Sequence, residues 1–288
     1  MEMYISKKYS VMKKIKYITV LIAFLAMNGL FAQEESIDLF SVPLSEPSKP
    51  GKLIVKQLNG SISVEAYSGK EVVIKASIGS EKECCGGQHS HKNKEKSKGM
   101  KRIGNSSLNI SAEEKNNVVQ VVNEQWNRVT NLEIKVPKNF SLKLGTVNDG
   151  DIWVKGVNGD MEVSNVNGAI TLESVSGSAS TDTVNGDIDI TFNSITSNSN
   201  MAFSSLNGDL NITFPSSLKA DVKAKSDMGE IYTDFDLAVS ANKPEVSKNR
   251  TSGTYKVKLE QWVRGKINGG GPEMLFKTFN GNVYIKSN

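Results

Sequence analysis

Glycine recurs every nine residues at Gly150, Gly159, Gly168, Gly177 and Gly186. The apolar residues between them keep fixed places. Counting each Gly as zero, position two holds Ile152, Met161, Ile170, Ala179 and Ile188, and position four holds Val154, Val163, Leu172, Thr181 and Ile190. Positions one, three and five are mostly polar, as in Asp151, Trp153 and Lys155. This alternation describes a strand with one buried face. Position seven is Val157, Val166, Val175 and Val184, which breaks the parity of a continuing strand. A meander of hairpins would keep that parity, so a corner is expected near positions five and six, with position seven pointing inward again. Short strands joined by corners and stacked coil on coil make a β-solenoid. The expected fold is all-β: a single-stranded parallel β-solenoid or β-helix-like rod with short Gly-Asn corners. Two nine-residue units make one coil of two strands.

The same corner signal recurs at Gly60, Gly69, Gly208, Gly229 and Gly281. Asn precedes most of these glycines, as at Asn158, Asn167, Asn185, Asn207 and Asn280. Both residue types tolerate positive φ, and stacked Asn side chains can bond to the coils above and below. All ten glycines are therefore read as structural turns, not as a phosphate cradle. With about eight to ten layers at ~4.8 Å the rod is roughly 40–50 Å long.

The chain opens with Lys7, Lys8, Lys13, Lys14 and Lys16, an apolar run from Tyr17, and Gly29–Ala32 before Gln33. This predicts a secretory signal peptide over residues 1–32, and no later segment is expected to cross a membrane as a helix. The predicted leader carries five of the 35 basic residues and one of the 31 acidic ones, so the remainder balances at 30 of each. That balance argues against nucleic acid as a partner. Residues 33–288 are expected to form one domain with loop insertions at about 79–106 and 240–254.

The first insertion holds Cys84, Cys85, His89 and His91, followed by the basic run 92–102. Thiolates and imidazoles suit Zn or Cu, but adjacent cysteines lack the usual ligand spacing. These four residues are the candidate metal ligands, and no other cofactor is expected. The second insertion, Ser240–Thr254, reads as a surface loop. The turn aspartates Asp151, Asp160, Asp187 and Asp209 read as solvent-facing, because each unit lacks the several glycines of calcium-binding solenoids. Gly265–Pro272 reads as a glycine-rich turn, since the order of a phosphate loop is missing. Trp153, Tyr232 and Tyr284 are candidate outward aromatics for stacking on sugars or peptides. Trp126 and Trp262 read as strand residues.

Strands at Leu132–Lys138 and Phe140–Leu144, the glycine-spaced run, Ile212–Pro215, Ala220–Ala224, Gly229–Ile231 and Phe279–Ile285 form an ordered set. Over residues 50–288 this set resembles the exported bacterial family of putative adhesins, a domain of unknown function. The resemblance implies export, a β-solenoid-like fold and a scaffold or binding role, and it transfers no catalytic residues. The expected function is a non-enzymatic exported protein of the periplasm, cell envelope or surface that binds a surface ligand, glycan or envelope protein. Two alternatives stand beside it: metal binding through the Cys84–His91 loop, and a polysaccharide-acting β-helix enzyme. The latter needs clustered carboxylates in a groove, whereas Asp151, Asp160 and Asp187 are spread along the repeat.

Overall fold

The computed structural model describes residues 37–79, 108–125, 127–239, 245–251, 254–260 and 262–288. The strands are β1 (Ile37–Pro43), β2 (Gly51–Lys56), β3 (Ile62–Tyr67), β4 (Glu71–Ile78), β5 (Ile110–Lys115), β6 (Val118–Asn123), β7 (Thr130–Pro137), β8 (Phe140–Gly145), β9 (Ile152–Lys155), β10 (Asn158–Ser164) and β11 (Ile170–Asn185). They continue as β12 (Ile188–Ile195), β13 (Met201–Asn207), β14 (Leu210–Phe214), β15 (Ala220–Ser226), β16 (Ile231–Thr233), β17 (Leu237–Val239), β18 (Glu245–Thr251), β19 (Thr254–Glu260), β20 (Val263–Ile267), β21 (Glu273–Asn280) and β22 (Val283–Ser287). Twenty of them share one sheet, and β18 with β19 form a separate antiparallel pair. Residues 245–251, expected as loop, are thus a strand.

The sheet folds into two ribbons. The first runs β6–β2–β8–β10–β11–β13–β21–β15, and the second runs β7–β3–β9–β11–β12–β14–β22–β16, all in parallel register. β11 bends at Ser174, where φ is 53°, and contributes its first half to the second ribbon and its second half to the first. Each tier is one coil of two strands, and one turn from Gly150 to Gly168 takes two nine-residue units, as expected.

Two features depart from a simple parallel solenoid. The ends are antiparallel: β5 on β6, β4 on β7 and β1 on β4 at one end, and β20 on β15 and β17 on β20 at the other. The sheet is therefore mixed. The tiers also leave sequence order. β2 and β3 sit between β6/β7 and β8/β9, and β21 and β22 sit between β13/β14 and β15/β16.

The interior follows the repeat. Positions two and four are buried in every unit, from Ile152 and Val154 to Ile188 and Ile190. Phe192, Phe203, Phe214 and Phe276 form one aromatic column inside the later tiers, with ring centroids 5.2 Å apart in the stacked pairs. Position seven corrects the expectation, because the two corners of a coil differ. Val157 and Val175 are fully buried, but Val184 is 38% exposed. At the second corner position six turns inward instead, as Asn165 and Thr183. Their side chains donate to the carbonyls of Gly150 and Gly168.

Close approach explains the glycines more than dihedral freedom does. A Cβ on Gly168 would lie 2.3 Å from the Gly150 carbonyl oxygen, one on Gly186 2.1 Å from that of Gly168, and one on Gly208 2.0 Å from that of Gly186. The file runs from Gly60 through Gly150, Gly168, Gly186, Gly208 and Gly281 to Gly229. Gly159 and Gly177 stack at the other corner. Gly69 stands apart, against the Tyr67 ring. Beside the file runs an amide ladder, in which Asn167 donates to Asn148, Asn185 to Asn167 and Asn207 to Asn185 at 2.8–2.9 Å.

Candidate binding face

The second ribbon presents its outward residues as straight rows, because parallel register repeats every strand. One row runs Trp153, Thr171, Asp189, Asn211, Tyr284, Tyr232. Four strand steps separate Trp153 from Tyr284, roughly 19 Å at the usual strand spacing. Short polar side chains fill the interval. The structure thus sets the three aromatics singled out in the sequence on one row and brings two of them, Tyr232 and Tyr284, into contact.

Each aromatic is fixed by its neighbours. The Trp153 Nε1–H donates to the Glu173 carboxylate at 2.9 Å. Lys155 lies 3.7 Å from that carboxylate and 5.6 Å from the indole centroid. The adjacent row alternates in charge, Lys135–Glu65–Lys155–Glu173. Tyr232 and Tyr284 stack with centroids 5.2 Å apart and planes 9° apart. Rings so close on neighbouring strands stand edge-up on the sheet, which leaves the outer face of Tyr232 uncovered by its partner. The Tyr232 hydroxyl donates to Glu230, and that hydrogen bond, with the carboxylate's charge behind it, raises the phenol pKa. Burial, the larger influence, raises the Asp189 carboxyl pKa, and Asp187 and Asp209 add to it.

The first ribbon carries a groove of about 680 Å³ across β2, β8, β10 and β11, with Lys52, Asn117, Asp160, Glu162, Ser180 and Asp182 on its walls. Asp160 accepts from Ser178 Oγ at 2.6 Å. Glu162 is held below its usual range, chiefly by the Lys143 ammonium 2.6 Å away. Asp182 is exposed by area, yet the surrounding groove desolvates its carboxyl enough to raise its pKa, and Glu162 adds repulsion. The carboxylates expected to be scattered are therefore partly grouped, with Asp182 in place of Asp151 and Asp187. The repeat gave no signal for this, since Asp182 occupies a position that is Ser164 in the preceding coil.

Asp151, Asp187 and Asp209 lie along the other corner. Their carboxylates accept the backbone N–H of Ala169, Asp209 and Asn282 in the next tier, at 2.7–2.8 Å. These three aspartates, each directly after a glycine, thus tie successive tiers together, and Ala169 interrupts the row. Among the described residues no group of three or more His, Cys, Asp or Glu side chains is placed to hold a metal. Cys84, Cys85, His89, His91 and Trp126 lie outside the described residues. Trp262 precedes β20 instead of lying within a strand, and it is buried with the Lys223 ammonium 4.4 Å from its ring centroid. Asn268, Gly269 and Gly270 make a positive-φ turn after β20.

Sequence reasoning missed one surface. At the Asn-Gly corner the residue before the Asn is apolar, half-buried at Val147 and Val166 and exposed at Leu58, Val184, Leu206 and Phe279, and the row continues to the exposed Met228. The signal is position seven of alternate units, Val166 and Val184, which the nine-residue period alone places in the interior.

The described residues form an all-β fold whose two ribbons present their outward side chains in aligned rows. Residues 146–262 match the family model described as Toastrack DUF4097. Among solved structures, a putative cell adhesion protein from Clostridium sporogenes is 14% identical, with a TM-score of 0.44, and the match covers 88% of this chain and 100% of that one. A putative adhesin from Bacteroides fragilis is 10% identical, with a TM-score of 0.36, covering 88% and 97%. No curated protein matches the chain. Among the described residues no helix is long and apolar enough to cross a membrane.

Proposed function

We propose that this protein is a non-enzymatic, exported binding scaffold of the adhesin type, built as a largely parallel β-solenoid, whose ligand lies along the second ribbon. The observation that carries the reading is the single register row that sets Trp153 and the Tyr284–Tyr232 pair about 19 Å apart across a polar floor. Aromatics on a rigid sheet offer apolar contact at little entropic cost, and Thr171, Asp189 and Asn211 supply hydrogen bonds between them. A glycan or an extended envelope polypeptide fits that chemistry. Glycan-array and pull-down binding by the chain tests the reading. Trp153→Ala is expected to weaken the retained ligand at least tenfold while the melting temperature stays near wild type. Undiminished binding by Trp153→Ala and Tyr284→Ala would remove the ligand from this face.

The groove of the first ribbon favours a second reading, a polysaccharide-acting enzyme. Neighbouring carboxyls with opposite pKa shifts, Glu162 down and Asp182 up, are the arrangement that acid–base chemistry uses. Reducing-end assays on the glycans that bind separate the two. Turnover lost in both Glu162→Gln and Asp182→Asn would replace the scaffold reading.

A further inference from the structure

The outward rows of the second ribbon differ in charge. From β9 to β16 the row before the aromatic one runs Asp151, Ala169, Asp187, Asp209, Asn282, Glu230, with no lysine or arginine in it. The aromatic row adds Asp189. The row after it is balanced, with Lys155 beside Glu173 and Lys286 beside Asp234. This face therefore carries an excess of five carboxylates, Asp151, Asp187, Asp189, Asp209 and Glu230, although acidic and basic residues balance over residues 33–288.

These carboxylates are half used by the fold and half open. Asp151, Asp187 and Asp209 each give Oδ1 to a backbone N–H of the next tier. Among the described residues the second oxygen of each makes no hydrogen bond or ion pair. Asp187, two residues before Asp189, and Asp209, in the next tier, add their repulsion to the desolvation that raises the Asp189 pKa, while Asn211 and Lys286 oppose it. The two lysines of the face stand at its ends, Lys155 5.6 Å from the Trp153 ring centroid and Lys286 5.4 Å from that of Tyr284. The interval between the aromatics is thus negative. Its carboxylates do not converge as metal ligands do, so they suit a chain of separate positive charges.

Spacing selects among cationic chains. A ligand lying from Trp153 to Tyr232 crosses the strands, so it meets one tier about every 4.8 Å. An extended polypeptide advances about 3.3 Å per residue and falls out of step with the tiers. An extended β-1,4-linked hexosamine chain advances about one strand spacing per ring, so it keeps step. Its rings also offer apolar faces to the aromatics at both ends. An ammonium on such a ring gains charge-assisted hydrogen bonds from a carboxylate beneath it. We propose that the ligand of this face is a cationic amino-sugar polymer, a β-1,4-linked glucosamine chain with free amino groups. It lies between Trp153 and the Tyr284–Tyr232 pair, with its ammonium groups on Asp187, Asp189 and Asp209. This rests on the second ribbon being the binding face and names the chemistry that the face takes.

The test uses protein expressed from the full-length gene and purified as the cell processes it. Titration calorimetry at low salt and about pH 6, where the sugar amines are protonated, compares a glucosamine hexamer, its fully N-acetylated counterpart and hexalysine. The glucosamine hexamer is expected to bind about tenfold tighter than either. Asp187→Asn with Asp209→Asn keeps an acceptor oxygen for each tier N–H and removes both charges. This variant should lose about tenfold for the glucosamine hexamer and nothing for the acetylated one, with an unchanged melting temperature. Asp189→Asn, whose side chain holds no backbone N–H among the described residues, replaces it should the melting temperature fall. Absent binding of the glucosamine hexamer overturns the proposal. So does binding that the aspartate variants leave intact, or tighter binding of hexalysine. An acetylated hexamer that binds as tightly, and is lost in Trp153→Ala, overturns the charge assignment and leaves the face standing. Sugar binding that survives both Trp153→Ala and Tyr284→Ala overturns the face as well.

Discussion

Gly186→Ala is expected to be among the most damaging single-methyl additions in this chain, although Gly186 is not among the glycines with positive φ. Its Cβ would stand 2.1 Å from the Gly168 carbonyl oxygen and 2.5 Å from the carbonyl carbon. Both atoms are backbone held in a ladder, so no rotamer change relieves the overlap. Tiers four and five of the stack must part by roughly 1 Å to reach an ordinary contact, which takes the hydrogen bonds there beyond useful length. Those bonds are Asn185 N–H to Val166, Gly168 N–H to Asn185, Ile170 N–H to Asp187, and the Asn185–Asn167 amide rung, all 2.8–2.9 Å. At about 1 kcal/mol net each, losing most of them costs roughly 3 kcal/mol, the upper range of overpacking penalties. Gly156→Ala is the control. Its φ is 70°, and the nearest atom to a Cβ is the Ala66 Cβ at 3.7 Å. That substitution meets only the left-handed backbone penalty, about 1–2 kcal/mol. Urea unfolding followed by circular dichroism and tryptophan fluorescence gives both values. The reasoning fails if Gly186→Ala costs less than Gly156→Ala.

The groove carboxyls should show opposite pH dependence. The Asp182 pKa is raised on folding, so its favourable contribution is complete below the unfolded carboxylate value and is lost as pH rises through the folded value. Asp182→Asn should therefore gain on wild type towards neutral pH. Glu162 is lowered, so its contribution is present above the unfolded value and is lost as pH falls through the folded one. Glu162→Gln should be less stable than wild type near neutrality and converge with it in acid, as thermal melts across pH will show. Deleting residues 273–288 should abolish cooperative unfolding of the second half, because β21 and β22 bond tiers on both sides. A circular dichroism melt that keeps wild-type cooperativity would contradict the assigned tier order.

The repeat made the tiers legible, and particular residues show where it stopped. Positions two and four could be assigned to the core because alternation has only two outcomes per residue, and Ile152 through Ile190 obey it. Position seven could not be assigned uniformly. A nine-residue period hides an eighteen-residue coil, and its two corners bend differently: Val157 turns in after Gly156 at φ 70°, while Val184 stays out because Thr183 takes the inward place to reach the Gly168 carbonyl. Trp153, Tyr232 and Tyr284 could be placed outside one by one. Their alignment depended on β22 pairing with β14 and β16, residues some 50 to 75 positions away, which no local period records. Asp182 escaped for the same reason, since its neighbour Glu162 lies across a tier.

The out-of-order tiers resist peeling better than a sequential coil would. In a sequential solenoid each unit touches only its neighbours, so force or proteolysis at an end can peel units off one interface at a time. Here the segment nearest the C-terminus lies inside the stack. Met201 faces Met274, which in turn faces Val222, and Leu210 faces Val283, which faces Ile231. Pulling on Asn288 must break parallel ladders on both sides of β22 together. β2 and β3 give the other end the same arrangement, held by β6 and β7 on one side and β8 and β9 on the other. Both inserted tiers use chain far from their neighbours in sequence, which slows folding through loop closure. The gain is that the strands nearest the C-terminus are held between two tiers, and the row of outward residues keeps its spacing only while every strand beneath it stays in register.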